Sequence, residues 1–334
     1  MATESEMPQG YWVNENDDPA KTVANDRRML AQMADLVPSR FVPHGTPLYD
    51  EKIFEQCIEI GKADSIEEGW DCTWLETLCA IELNNLAPQI IGSCVATSHI
   101  TLLATRMIHE IVLLGRAEEF LGRKLSGRDS ICPFGPYSYR AGRKHAGING
   151  NGDGSTCSGQ IKGSMVYGFL PCDTPDIRSD FFPEPKSTST YRQWGANDRL
   201  LNEFAEAGQK FDLIEAPEVT TVEMATQMLK EFKPLQICSG WGFRTTGTRL
   251  PNGDVLSSRS GSWAHSMQVQ GIVKMTNGNW YAKIRNQWGN YHAGKPYFWV
   301  TIEEFGRWLR NSSTMAIGTL QNRESKAIDI FGGL

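Results

Sequence analysis

The sequence lacks the long apolar runs and the one-sided charge that would indicate a membrane or nucleic-acid partner. Its most apolar long segment, residues 100–114, contains Arg106, His109 and Glu110, which are costly in hydrocarbon, and it is too short to span a bilayer. The formal net charge of the 334 residues is −6, with Lys and Arg scattered along the chain. We therefore expect neither membrane insertion nor a nucleic-acid partner.

Export signals and metal-binding spacings are also missing. Residues 1–19 are acidic and contain no apolar run, so we expect no signal peptide and a cytoplasmic or virion-associated location. None of the eight cysteines lies in a C-x-x-C pair, and the histidines show no paired ligand spacing, so no structural zinc is expected. In a large chain without an export signal, the cysteines are expected to be reduced thiols.

Helical patterns dominate the first part of the chain. Apolar residues recur at helical spacing over residues 23–36, 70–86 and 94–114, and Gly115 follows the third of these predicted helices as a natural cap. Residues 128–163 are rich in Gly, Pro, Ser and Tyr, and this composition predicts long loops with little regular structure.

Strand patterns follow from about residue 234, where the apolar period changes to two. An antiparallel sheet is predicted, with strands over residues 235–238, 267–273, 280–284 and 297–300. Because the helical patterns come first and the strand patterns second, we expect an α+β fold with two subdomains. A cleft between two such lobes is a usual place for a functional site. We predict an N-terminal extension over residues 1–70, a main domain over 71–322 and a tail over 323–334.

Cys94 is a candidate nucleophile because it lies at the start of the third predicted helix. Unpaired backbone N–H groups and the helix dipole favour an anion at that end, which biases a thiol towards the thiolate. The thiolate is the nucleophilic form. The competing interpretation is a small buried hydrophobic residue, which we expect for most of the other seven cysteines.

His265 is the best placed of the six histidines to act as a base, since it lies where the strand pattern of residues 267–273 begins. About twenty residues further on, Asn286 could accept the imidazole N–H and fix the tautomer of the ring. A histidine at a strand start is, taken alone, more often structural than catalytic.

Three segments together resemble the papain and cathepsin family of cysteine peptidases. The family carries G-S-C-W-A-F-S at the nucleophile, a histidine followed by an apolar strand, and N-S-W-G. This sequence reads G-S-C-V-A-T-S around Cys94, H-S-M-Q-V-Q-G-I from His265 and N-Q-W-G from Asn286, in the same order and at similarly wide spacing. The resemblance covers about residues 85–320. It implies a two-lobed papain-like fold, in which a helical lobe carries Cys94 and an antiparallel, β-barrel-like lobe carries His265 and Asn286.

Carried over to this sequence, the resemblance implies peptide or amide hydrolysis without a cofactor. Cys94 would attack the carbonyl, His265 would transfer the proton to the leaving amine, and Asn286 would orient His265 beneath the indole of Trp288. The backbone N–H of Cys94 and the amide of Gln89 would hold the oxyanion. Gln89 lies one residue closer to the cysteine than in the family, which leaves a solvent-exposed loop position as an equal alternative.

A second motif, Asn149-x-Asn151-x-Asp153-Gly154, has the alternation of a calcium-binding EF-hand loop. Its twelfth position is Gln160 instead of Glu, and no helix pair flanks it. We therefore expect a Gly-rich surface loop and no calcium site.

Two other functions remain open at the level of sequence. The chain could be a viral or phage virion component that keeps a papain-like scaffold with weak or no activity, because a fold does not establish an activity. It could also transfer an acyl group to another acceptor, as transglutaminase-like enzymes and amidases do. Residues 1–70 occupy the place of the family's inhibitory propeptide but lack its spaced E-R-F-N-I-N pattern. We expect an arm that attaches to neighbouring subunits.

Overall fold

The computed structural model describes residues 51–78, 89, 91–110, 133–171, 188–318 and 320–322. The predicted helix over residues 23–36 and the predicted tail over 323–334 lie outside the described residues. So do Gly115 and the end of the third predicted helix.

The described elements begin with helices and end with strands, as the sequence pattern predicts. The helices are α1 (Glu51–Ala63), α2 (Thr73–Leu78), α3 (Cys94–Ile108), α4 (Gly135–His145), α5 (Cys157–Tyr167), α6 (Thr188–Gly195), α7 (Asp198–Glu203), α8 (Ala205–Gly208), α9 (Val222–Lys230) and α10 (Ile302–Arg310). The strands are β1 (Ile66–Asp71), β2 (Phe211–Leu213), β3 (Leu235–Phe243), β4 (Thr248–Arg249), β5 (Val255–Leu256), β6 (Arg259–Met275), β7 (Trp280–Arg285), β8 (Tyr297–Thr301), β9 (Ser313–Ala316) and β10 (Leu320–Asn322).

The main sheet runs in the order β4-β5-β8-β7-β6-β3-β9, and β1 adds a further pairing to β6. The four predicted strand segments correspond to β3, β6, β7 and β8. Strand β6 pairs antiparallel with β3 and with β7, and β7 pairs antiparallel with β8, which confirms the predicted antiparallel sheet. The pair between β5 and β8 is parallel. Among the described strands the sheet is open and ends at β4 and β9.

Helix α3 lies at the centre of the molecule, and every one of its side chains is buried. The prediction that a helix starts at Cys94 is confirmed. Leu102, Leu103 and Met107 pack into the main apolar core with the sheet. The polar side chains of the helix are buried with partners; Arg106, for example, donates to the carbonyls of Gly318 and Phe232.

A second, smaller core makes the helical lobe. It is built from α4, α6, α7 and α8, and its buried side chains include Phe134, Tyr137, Trp194, Leu201 and Phe204. The α+β class with a helical lobe and a sheet-rich lobe is therefore confirmed. Within the described part of the chain, no helix is both long and apolar enough to cross a bilayer.

The prediction of long loops over residues 128–163 is wrong for α4 and for the part of α5 that falls there, and right for residues 146–156, which form a loop between these two helices. Their glycines allow two helices to pack closely. A Cβ at Gly142 would lie 2.2 Å from Oε1 of Gln160, and one at Gly163 would lie 2.6 Å from the carbonyl carbon of Ala141. Composition alone cannot distinguish glycines that serve close packing from those that loosen a loop.

The helix predicted over residues 70–86 is partly wrong, because Trp70 belongs to strand β1 and helix α2 begins at Thr73. Both the backbone N–H and the hydroxyl of Thr73 donate to Asp71 at the start of this helix. Strand β1 pairs with β6, and Trp70 lies in the main core. The boundary predicted between residues 70 and 71 therefore falls inside a strand, while the attachment role of the extension stays a prediction.

Candidate active site

Cys94 occupies the first turn of α3 and has no exposed surface. It belongs to a small buried cluster with Val95, Cys157 and Cys238, against which Ala264 packs. Ala264 directly precedes the candidate base in strand β6. This cluster therefore brings the start of the nucleophile helix to the strand that carries His265.

Cys157 and Cys238 form a disulfide that links helix α5 to strand β3. The expectation of reduced thiols is wrong for this pair. The two residues are 81 positions apart, and only the packing of α5 on the sheet brings them together. Among the described cysteines, Cys57, Cys72 and Cys94 are not in disulfides, and all three are buried.

His265 and Asn286 are joined by a hydrogen bond. Nε2 of His265 donates to Oδ1 of Asn286 over 2.9 Å. His265 lies inside β6 and not at a strand start, because the strand extends back to Arg259. Asn286 directly follows β7, and its backbone N–H donates to the carbonyl of Pro296 over 2.9 Å. Two neighbouring strands of one sheet thus hold the pair.

The indole of Trp288 covers the His265 ring, with the ring centroids 4.3 Å apart and the planes 25° from parallel. Its Nε1 donates to Oε1 of Gln89 over 3.0 Å. The backbone N–H of Gln89 donates to the carbonyl of Gln287 over 2.9 Å. Gln89 is thereby buried and fixed to the loop that follows Asn286, and is not a solvent-exposed loop residue.

The amide of Gln89 is only partly available to a substrate. Its Nε2 donates to the carbonyl of Ile91 over 2.9 Å. An amide nitrogen carries two hydrogens, so at most one is left for an oxyanion.

Burial lowers the pKa of His265 to about 4, although the hydrogen bond with Asn286 opposes the shift. The ring is therefore neutral at pH 7. Its proton is on Nε2, because that atom donates to Asn286. Within the described part of the molecule, Nδ1 of His265 has no hydrogen-bond partner, and in this tautomer it carries a lone pair. Such a nitrogen is able to accept a proton.

Buried polar contacts fix helix α3 against the sheet one turn beyond Cys94. The hydroxyls of Ser98 and Ser266 lie 2.7 Å apart, and Ser266 is the residue after His265. Nε2 of Gln236, in β3, donates to the carbonyl of Val95 over 2.8 Å. Buried hydrogen bonds are costly to leave unmade, so these contacts hold the helix in register with the strands.

Solved cysteine proteases are similar in structure to this chain. Xylellain from Xylella fastidiosa has a TM-score of 0.49 and 15% identity, covering 93% of this chain and 96% of its own. Procathepsin B S9 from Trypanosoma congolense has a TM-score of 0.48 and 14% identity, covering 94% and 87%. Bromelain from Ananas comosus has a TM-score of 0.39 and 10% identity, covering 78% and 95%.

These structures are papain-like cysteine proteases, the family that the sequence resembles. No protein-family model and no curated protein sequence matches the chain. Because the identities and TM-scores are this low, the chemistry has to be inferred from the chain's own side chains.

Helices α4 and α5 lie on either side of the EF-hand-like loop, so the expectation that no helix pair flanks it is wrong. Arg143, which is buried, donates to the carbonyls of Gly150 and Gly154. Asp153 accepts a hydrogen bond from the backbone N–H of Gly92 over 3.1 Å, two residues before Cys94. Among the described residues, no group of three or more His, Cys, Asp or Glu side chains could hold a metal ion. The loop therefore supports the segment that leads into Cys94.

The sequence patterns did not identify His292, which contacts the other side of Asn286. Nδ2 of Asn286 donates to Nε2 of His292 over 3.2 Å, and both side chains are buried. The available signal was proximity along the chain, since His292 lies in the same loop as Asn286 and Trp288. That signal is weak because the family motif ends at the glycine after the tryptophan.

Proposed function

We propose that this protein is a papain-like thiol hydrolase that cleaves peptide or amide bonds with Cys94, His265 and Asn286. The observation that carries the proposal is the state of His265. Its Nε2–H is held by Asn286, its ring is covered by Trp288, and its Nδ1 has no partner among the described residues. A neutral, oriented imidazole with one lone pair left over is what a general base requires.

In the first step Nδ1 of His265 removes the proton of the Cys94 thiol, and the thiolate attacks the substrate carbonyl carbon. The low pKa of His265 keeps the ring unprotonated at pH 7. Entry of solvent when the site opens would raise this pKa and make the ring a stronger base. As the imidazolium forms, the carbonyl oxygen of Asn286 stabilises the Nε2–H that faces it. The contact between Ala264 and the cluster of Cys94 brings strand β6, which carries His265, to the start of helix α3.

In the second step the tetrahedral intermediate collapses. Its oxyanion would be held by the backbone N–H of Cys94, at the start of α3, and by the side-chain amide of Gln89. The carbon–nitrogen bond breaks, and the leaving amine takes the proton from Nδ1 of His265. A water molecule, deprotonated by the same nitrogen, then hydrolyses the thioester and regenerates the thiol. The three side chains and these donors suffice without a cofactor.

Access to the site requires an opening. Cys94 is 0% and His265 1% exposed, so the structure corresponds to a closed state. A substrate carbonyl can therefore reach the sulfur only if the site opens.

The experiment compares turnover of a fluorogenic peptide mixture by His265→Ala, Asn286→Ala and Asn290→Ala. Removal of the base should lower kcat about 100-fold or more, because general base catalysis contributes at least that much. Asn286→Ala should cost clearly less, because the base is kept and only its orientation is lost. The exposed Asn290, in the same loop, is the matched control and should leave kcat unchanged. Turnover that survives His265→Ala would refute the mechanism.

A further inference from the structure

The Asn286 amide lies between two imidazole rings. Its Oδ1 is 2.9 Å from Nε2 of His265, and its Nδ2 is 3.2 Å from Nε2 of His292. All three side chains are at most 2% exposed, so water does not replace either contact. The amide can turn over only if both rings change their protonation pattern.

The proton arrangement follows from the donors and acceptors. An amide nitrogen only donates, so Nε2 of His292 has to be unprotonated and the proton of this ring has to be on Nδ1. With the amide turned over, its nitrogen would face His265 and force the proton of that ring onto Nδ1. His265 would then lack the lone pair with which it removes the proton of Cys94.

Several contacts fix the His292 ring in its place. The backbone N–H and carbonyl of His292 both bond with Lys295 at 3.0 Å, and Ala293 and Gly294 between them have positive φ values of 50° and 86°, as in a tight hairpin turn. The ring packs on Phe298 with centroids 4.3 Å apart.

Burial and the neighbouring His265 lower the pKa of His292 to about 3, so the ring is neutral at pH 7. Among the described residues Nδ1 of His292 has no hydrogen-bond partner, so the contact with the Asn286 amide is the one that decides which nitrogen of this ring carries the proton.

We propose that His292 is a positioning residue of the active site, whose unprotonated Nε2 holds the Asn286 amide with its oxygen towards His265. The inference rests on the proposed function, since it assigns His292 a role in preparing the base. It requires no contact between His292 and the substrate.

The test compares two variants of the full chain, His292→Gln and His292→Met. The two side chains have similar length, but only glutamine has an acceptor oxygen near the position of Nε2. Alkylation of Cys94 by iodoacetamide is measured at pH 6.5, where the thiol needs the base, and at pH 9.5, above the usual thiol pKa of about 8.5. We expect His292→Met to lose about tenfold at pH 6.5, the equivalent of one hydrogen bond, and little at pH 9.5. His292→Gln should stay within about threefold of the wild type at both.

Equal rates for the methionine variant and the wild type at pH 6.5 would overturn the inference. Equal losses at both pH values would also overturn it, because they would indicate a merely structural role. Circular dichroism checks that both variants fold.

A second measurement separates this inference from the proposed function. The ¹⁵N shifts of labelled histidine report the tautomers in the wild type whether or not Cys94 is reactive. We expect the proton on Nδ1 in His292 and on Nε2 in His265. A proton on Nε2 of His292 would overturn the inference. Slow alkylation of wild-type Cys94 together with the expected tautomers would overturn the proposed function and leave the arrangement of His292 established.

Discussion

The buried ion pair between Glu76 and Arg285 ties helix α2 to the end of β7, directly before Asn286. Nη1 and Nη2 of Arg285 donate to Oε1 and Oε2 of Glu76 over 3.0 and 2.5 Å. The two side chains are only 3% and 7% exposed. Tyr297 adds a hydrogen bond from Arg285 to its hydroxyl and a ring 5.0 Å from the guanidinium carbon.

Glu76→Gln should lower the free energy of unfolding by about 3–5 kcal/mol, because it leaves a buried guanidinium without its counter-charge. An exposed pair provides the control. Lys62 and Glu59 are 62% and 69% exposed, so Glu59→Gln should cost about 1 kcal/mol or less. Replacing both members of the buried pair with methionine should recover most of the loss, since no unpaired charge remains.

The assay is urea denaturation followed by tryptophan fluorescence, with the slope m compared among the variants. A change in the midpoint at constant m measures the loss of stability. A loss below about 1 kcal/mol for Glu76→Gln would refute the reasoning, because it would show that the guanidinium finds another partner or water.

Two further predictions concern stability. Replacing Cys157 and Cys238 with serine should lower the urea midpoint by the equivalent of about 2–4 kcal/mol, since the disulfide closes a long loop; a midpoint unaffected by this replacement would contradict it. Burial lowers the pKa values of His99 and His265 to about 4 and of His292 to about 3. Because the unfolded state binds more protons below pH 6.5, stability should fall by about 1.4 kcal/mol per pH unit per histidine between pH 6.5 and 4. The free energy of unfolding is measured by urea titration at several pH values. A value that does not change over that range would show that these rings are solvated.

Periodicity predicted the elements whose burial pattern is regular. Helix α3 repeats its apolar residues at helical spacing from Cys94, and β6 to β8 alternate or are apolar throughout, so both types were recognisable. Trp70 was misassigned because β1 has only six residues and takes its stability from pairing with β6. Such tertiary pairing leaves little trace in a local pattern.

Contacts within the candidate site were predictable only where the residues carry a family motif. The His265–Asn286 contact and the cover of Trp288 lie where the resemblance implies them. The disulfide could not be predicted, because its two cysteines meet only through the packing of α5 on β3. The contact between His292 and Asn286 was missed for a related reason. A histidine is informative only when its partner is known, and that partner is an amide six residues away.

The central claim is that Cys94 is a nucleophile activated by His265, and selective alkylation tests it most directly. Native protein is treated with iodoacetamide at pH 6.5, and the modified cysteines are identified by peptide mapping in the wild type and in His265→Ala. We predict that Cys94 reacts faster than the other seven cysteines in the wild type, and that this advantage is lost in the variant. Modification of Cys94 only after denaturation, or at the same rate in His265→Ala, would contradict the account.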